Sequence, residues 1–173
     1  MGIKKPKSET KESILKYSIK IGLQANNVFV LNSLKSMSDV SKKTNIPAVR
    51  IYNSNKEFLG IISKDTNSCT GSAEDIIAQL NKETFYPVID TLTLDAELKM
   101  FSLIGEQTNN DEYDFYVTIY FAKWAGKLNK KIVEWEKAAQ NNPNAKIKVI
   151  KLNTDLQEEW DVKLRMSKPQ AEK

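Results

Sequence analysis

Phe115-Tyr116-Val117-Thr118-Ile119-Tyr120-Phe121-Ala122-Lys123-Trp124-Ala125-Gly126-Lys127-Leu128 begins as a run of β-branched and aromatic residues and then, past an aromatic residue and a glycine, takes on a helical pattern. Residues 115–122 predict a buried strand. From about 125 to 140, Leu128, Ile132, Trp135 and Ala139 recur at helical spacing, and Asn141-Asn142-Pro143-Asn144 stops the pattern. A strand that runs straight into a helix leaves the helix N-terminus, with its unpaired N–H groups and partial positive charge, at the junction. Beyond it, Lys146-Ile147-Lys148-Val149-Ile150-Lys151-Leu152 predicts a further strand. Thr154 and Gln157 have capping-box spacing for a last helix containing Trp160.

Working outward toward the N-terminus, Ser8 predicts the cap of a helix over about 9–21, with Glu9 and Glu12 in its first turn, Lys16 and Lys20 toward its end and Gly22 as its stop. Asn27-Val28-Phe29-Val30-Leu31-Asn32 is a short apolar strand that needs cover on both faces. Ser38 caps a brief helix, 39–43. Ile46-Pro47-Ala48-Val49-Arg50-Ile51-Tyr52 reads as a strand that opens with proline, where a strand tolerates it. Asn53-Ser54-Asn55-Lys56 turns the chain into a returning strand, 57–63, and Ser72 caps a helix of roughly 73–82 with Ile76, Ile77 and Leu80 inward. The pattern between is weaker: an extended stretch at 88–92, a helix from Asp95 through Ile104 stopped by Gly105, and a polar loop at 107–114.

Composition excludes several function classes. The 173 residues carry a formal net charge of +4, and no histidine. Without histidine there is no Ser-His-Asp or Cys-His arrangement, and most zinc and transition-metal chemistry is gone. Six lysines against Glu9 and Glu12 within residues 1–20 account for the whole net charge. Only Arg50 and Arg165 are arginines, which argues against nucleic acid as a partner. Cys69 is the single cysteine and reads as a small turn residue, with a redox sensor or intermolecular bridge as the alternative. Asn109-Asn110-Asp111-Glu112-Tyr113-Asp114 is rich in oxygen but lacks the glycine and closing glutamate of a calcium loop. Glu158, Glu159 and Asp161 read as solvated acids at a helix start rather than a catalytic pair. No glycine-rich phosphate loop is present, so neither a metal nor a cofactor is expected. Met1-Gly2-Ile3-Lys4-Lys5-Pro6-Lys7 has no apolar region behind it and no myristoylation pattern. A basic polar leader of this kind suits a peripheral membrane tether, so an extracytoplasmic setting, periplasmic or lipoprotein, is favoured over the cytoplasm.

Two stretches, covering about two-thirds of the chain, resemble the thioredoxin family. Tyr116 to Asp155 is similar to the family's strand, active-site turn, long helix and next strand. Trp124, Ala125, Gly126, Lys127 and Leu128 fall where the family has Trp-Cys-Gly-Pro-Cys, and both sulfurs are missing. Val40 to Leu80 is similar to the second part, with Ile46-Pro47 where the family opens a strand on its cis-proline. In the family the turn precedes the proline, whereas here Pro47 precedes Trp124. The resemblance therefore implies a circularly permuted, three-layer α/β/α sandwich with a mixed central sheet, or else two partial units packed together. A single domain over 9–165 is favoured, built from fragments 9–82 and 115–165 joined by 83–114, with a disordered basic tail at 1–8 and a second tail at 166–173. Thiol-disulfide exchange needs an attacking thiolate and a resolving thiol. The resemblance accordingly implies a redox-inactive, non-enzymatic module that binds protein or peptide through Trp124, Ala125, Gly126, Lys127, Leu128, Ile46 and Pro47. The alternatives are a hydrolase or other enzyme using carboxylate, tyrosine or lysine groups, and a structural subunit of an extracytoplasmic complex.

Overall fold

The computed structural model describes residues 5–63, 73–108 and 112–160. Strands β2 (Val28–Leu31), β3 (Ala48–Asn53), β4 (Phe58–Ser63), β5 (Phe101–Leu103), β6 (Phe115–Phe121) and β7 (Ile147–Asn153) form one six-stranded mixed sheet in the order β4-β3-β6-β7-β2-β5. Three of the four inner strands, β6, β7 and β2, run parallel; β3 lies antiparallel to β4 and β6, and β5 closes the other edge antiparallel to β2. A separate two-stranded parallel pair joins β1 (Ser8–Glu9) to β8 (Leu156–Gln157).

Alternation along the strands sends two sets of apolar side chains to opposite faces. Val28, Val30, Val49, Ile51, Val117, Ile119, Phe121 and Val149 meet Ile14 of α1 (Lys11–Ile21), Ile77 of α3 (Ala73–Ala78) and Ile132, Trp135 and Ala139 of α5 (Lys130–Gln140). On the other face Leu31, Ala48, Tyr52, Tyr120, Ile150 and Leu152 meet Val40 of α2 (Leu34–Ser41), Leu94 of α4 (Leu94–Leu98), Phe101 and Trp160. Each fully buried aliphatic or aromatic side chain in these sets contributes about 1.5–3 kcal/mol. The central strand β6 is buried almost throughout, which is why its sequence is continuous in apolar and β-branched residues rather than alternating.

Local chemistry moves several expected boundaries. Thr10, not Ser8, caps α1, its Oγ1 accepting the Ser13 N–H at 3.1 Å, and Ser8 belongs with Glu9 to β1 rather than to a tail. Gly22 ends that helix with φ 101°. Ser33 caps α2 by accepting the Ser36 N–H at 3.1 Å, so the helix starts five residues before Asp39 and ends at Ser41. Strand β3 begins at Ala48, after Pro47. Helix α3 is shorter than expected because Asn142 Nδ2 donates to Ile77 O, Ala78 O and Leu80 O at 2.9–3.1 Å, satisfying the carbonyls at its end. Ser72 lies outside the described residues. Residues 88–92 form no strand; Ile89 N–H donates to Phe58 O at 3.0 Å. Thr93 caps α4, and Phe101–Leu103 pairs with β2 where a helix was expected. Residue 157 is in β8, so the Thr154 capping box does not form; the Thr154 N–H donates to Phe121 O at 2.9 Å instead, and helical residues begin at 158.

Candidate functional site

The sheet register brings the two expected halves of the site together. Ala48 pairs with Tyr120, and β3 runs antiparallel to β6, so one further step along each strand sets Pro47 beside Phe121 and the turn that follows. The Ile46–Pro47 bond is cis, Pro47 is buried and Ile46 half-buried. After β6 the chain does not enter the α-helix at once: residues Lys123–Asn129 form a 3-10 segment broken at Gly126, whose φ of 58° and ψ of −119° suit glycine alone. The helix expected from 125 therefore starts at Lys130. Within the turn Ala125 is fully buried, Trp124, Gly126 and Leu128 are half-buried, and Lys127 is exposed.

The turn is tied down from two sides. From the α1 side, Lys123 Nζ donates to Glu9 and to Ser13 Oγ (2.6 Å), and lies 5.8 Å from the centre of the Tyr17 ring. Asn129 Nδ2 bridges Tyr17 Oη (2.7 Å) and Ala122 O (2.8 Å). From the loop after β7, buried Asp155 accepts the Lys123 N–H and the Asn153 side chain, each at 2.8 Å. Burial pushes the Asp155 carboxyl up from its ordinary range, and those two hydrogen bonds only partly offset it. Burial also works against ionised Glu9, but the hydrogen bonds from Lys123 and Ser13 outweigh it and hold that carboxyl below the usual range.

On the α2 and α4 face a buried ionic cluster sits behind β3. Glu97 accepts from Arg50 Nη1, from Tyr120 Oη and from Tyr52 Oη (2.8 Å); Arg50 Nη2 donates to Thr44 Oγ1, and the guanidinium lies 4.9 Å from the Tyr120 ring centre. Arg50, Glu97, Tyr52 and Tyr120 are all buried, and Arg50 Nε has no partner. Burial first, and then the Glu97 charge, push both tyrosine hydroxyls far above their usual range, so they act as donors and not as bases. Because Thr44 precedes Pro47 by three residues, this cluster also fixes the chain that delivers Pro47. On the other face, buried Lys151 Nζ pairs with buried Glu136 Oε1 at 2.8 Å and donates to half-buried Asn26 Oδ1 at 2.9 Å.

Neither cluster was among the expected site residues, although each leaves a trace in the sequence. Arg50 stands in an otherwise apolar strand on the same parity as Ala48 and Tyr52. Lys151 breaks the parity of Lys146 and Lys148 and so falls on the face of Val149.

The remaining candidates hold little chemistry. A cleft of about 390 Å³ on the α4 side has a floor of Phe29, Tyr116 and Ile150, walls of Leu94 and Leu98, and a rim ion pair of Lys56 with Asp95 at 2.8 Å. Glu159 pairs with Lys11 at 3.4 Å, Glu158 is exposed, and Asp114 accepts the Lys146 N–H at 2.7 Å. Cys69, Asp161, Arg165 and residues 109–111 of the oxygen-rich loop lie outside the described residues. Among the described residues no group of three His, Cys, Asp or Glu side chains is placed to hold a metal ion, and no helix is long and apolar enough to cross a membrane. The chain matches no protein-family model, no curated protein and no solved structure with which it was compared.

Proposed function

We propose that this chain is a redox-inactive interaction module of the thioredoxin-like type, circularly permuted, that binds a protein or peptide partner beside the 122–128 turn. One observation carries the reading: the β3–β6 register sets Pro47 next to a strand-to-helix turn that lies far downstream in the sequence. The strand order β4-β3-β6-β7, with β6 and β7 parallel and β3 antiparallel to both of its neighbours, supports a permuted connectivity. The five turn residues Trp124 to Leu128 offer a half-buried aromatic ring, a backbone near a helix start and an exposed lysine, but no thiol. Such a surface can hold an extended segment through backbone donors and an aromatic contact.

Two measurements test it. In an insulin-reduction assay the chain gives no turnover. In an NMR titration with extended peptides, shifts gather on Trp124, Gly126 and Ala48. Measurable turnover, or shifts gathered elsewhere, overturns the proposal. A second reading, a subunit whose apolar surface is covered by a partner, is favoured by Phe85, Ile89 and Val88, which are 88%, 64% and 49% exposed. Shifts gathered on those three residues would select it.

A further inference from the structure

Charge is distributed unevenly around the turn. Residues 5–20 and 123–131 together hold nine lysines against Glu9 and Glu12, whereas the rest of the chain has 17 basic and 20 acidic residues and is net negative. The two basic stretches meet in space, through Lys123 on Ser13 and Asn129 on Tyr17. Between them runs an open groove of about 470 Å³ lined by Thr10, Ser13, Lys16, Tyr17, Lys20 and Lys123, with Glu12 at its side. Lys16 pairs with Glu12 on its own helix, and both side chains are about three-quarters exposed, so solvent and any incoming carboxylate compete readily for that lysine. Lys20, Lys127, Lys130 and Lys131 are exposed and have no carboxylate partner among the described residues.

We infer that this groove takes an acidic segment of a partner protein, with carboxylates against Lys16 and Lys20 and an apolar side chain against the Tyr17 ring. The inference rests on the reading of the neighbouring turn as a partner-binding site and names the chemistry of that partner. The concave shape fits an extended chain. A bilayer surface would call for a row of apolar side chains on α1, and the only large exposed one there is Ile19. Nucleic acid is matched by guanidinium forks, but every basic residue of the two stretches is lysine and Arg50 is buried against Glu97.

The test uses the full chain with fluorescein-labelled peptides of alternating glutamate and leucine, and of alternating glutamine and leucine, followed by anisotropy. The acidic peptide is expected to bind about tenfold more tightly than the neutral one, and to weaken several-fold when ionic strength is raised from low salt to ~0.15 M. The Lys16→Gln/Lys20→Gln double variant loses most of that preference while its far-UV circular dichroism and Tm stay unchanged; Trp124→Ala weakens both peptides. Equal binding of the two peptides, with Trp124→Ala still weakening both, overturns the groove inference and leaves the module reading standing. Binding of neither peptide refutes both. Tighter binding to phosphatidylserine-containing vesicles or to single-stranded DNA than to the acidic peptide overturns the choice of partner.

Discussion

Replacing Glu97 by glutamine perturbs the buried cluster behind Pro47 with little change of shape. The wild-type carboxylate is fully buried and accepts from Arg50, Tyr52 and Tyr120. Glutamine keeps one oxygen and turns the other acceptor into a donor, so an N–H₂ group faces donors and Arg50 is left as a buried cation whose other side-chain acceptors among the described residues are Thr44 and the Tyr120 hydroxyl. Breaking a buried ion pair from one side costs about 3–5 kcal/mol, because the remaining charge stays desolvated. Set against a total stability of roughly 5–15 kcal/mol, that is a large share. At about 2–4 °C per kcal/mol for a chain of this size, Tm should fall by roughly 6–20 °C. Arg50→Met should cost about 3 kcal/mol, near the low end, since both tyrosine hydroxyls still satisfy Glu97. The double variant Arg50→Met/Glu97→Leu should then lose at least ~2 kcal/mol less than the sum of the single losses. Urea denaturation followed by circular dichroism measures all three, and unchanged m-values would show that the unfolded state is not the source of the effect. In the same variants the amide resonances of Thr44, Ile46 and Ala48 should move, because Arg50 holds Thr44. A Glu97→Gln variant within ~0.5 kcal/mol of wild type, or strictly additive losses, would refute the reasoning.

Glu136→Gln should likewise cost about 3–5 kcal/mol by leaving Lys151 buried and unpaired, while the Glu136→Met/Lys151→Met pair should recover part of that loss and still lack an acceptor for the Gln24 N–H; equal denaturation midpoints for the single and double variants would contradict this. The pH dependence of stability should split in sign between two carboxyls at the turn. Glu9 is held below its ordinary value of 4.5, so its contribution is present at neutral pH and is lost as pH falls below that value; Glu9→Gln should lower Tm at pH 7 and converge with wild type in acid. Asp155 is raised above 3.8, so its contribution is present in acid and is lost as pH rises through the folded-state value; Asp155→Asn, whose side-chain oxygen can still accept the Lys123 N–H, should gain on wild type as pH rises from acid. Parallel Tm-against-pH curves for the three proteins would refute both assignments.

Periodicity was enough to read the strands at 28–31, 48–53, 58–63, 115–121 and 147–153, because each combines apolar alternation or continuity with a turn signal at one end. It failed where a distant partner decided the outcome. Phe101–Leu103 is too short to show a period, and its strand exists because β2 offers an unpaired edge. Helix α3 stops where Asn142, far along the chain, takes its carbonyls. Residues 156 and 157 become a strand because Ser8 and Glu9 lie beside them, which overrides the capping-box spacing of Thr154 and Gln157. The five positions of the turn and the Ile46-Pro47 pair came from the family resemblance and not from periodicity, and the register sets Pro47 beside Phe121, just ahead of that turn. The groove of α1 was hidden for a similar reason: lysines more than a hundred residues apart in sequence meet only when Lys123 reaches Ser13.

The geometry of the turn bears on why the residues there, none of which carries a thiol, fit the proposed binding better than thiol chemistry. A reactive thiol must reach solvent and must be held as thiolate. Ala125, at the first of the two positions where the resemblance would put sulfur, is fully buried, and its N–H donates to Ala122 O at 3.0 Å, so a side chain there has neither access nor room to ionise cheaply. The positive charge nearby is engaged as well. Lys123 is committed to Glu9 and Ser13 and serves to hold the turn against α1. What stays open to a visitor is the half-buried Trp124 ring, the exposed Lys127 ammonium and the lysine-lined groove next to them. Those groups offer apolar contact, a fixed field and donors, the contacts that the proposed binding of a segment calls for.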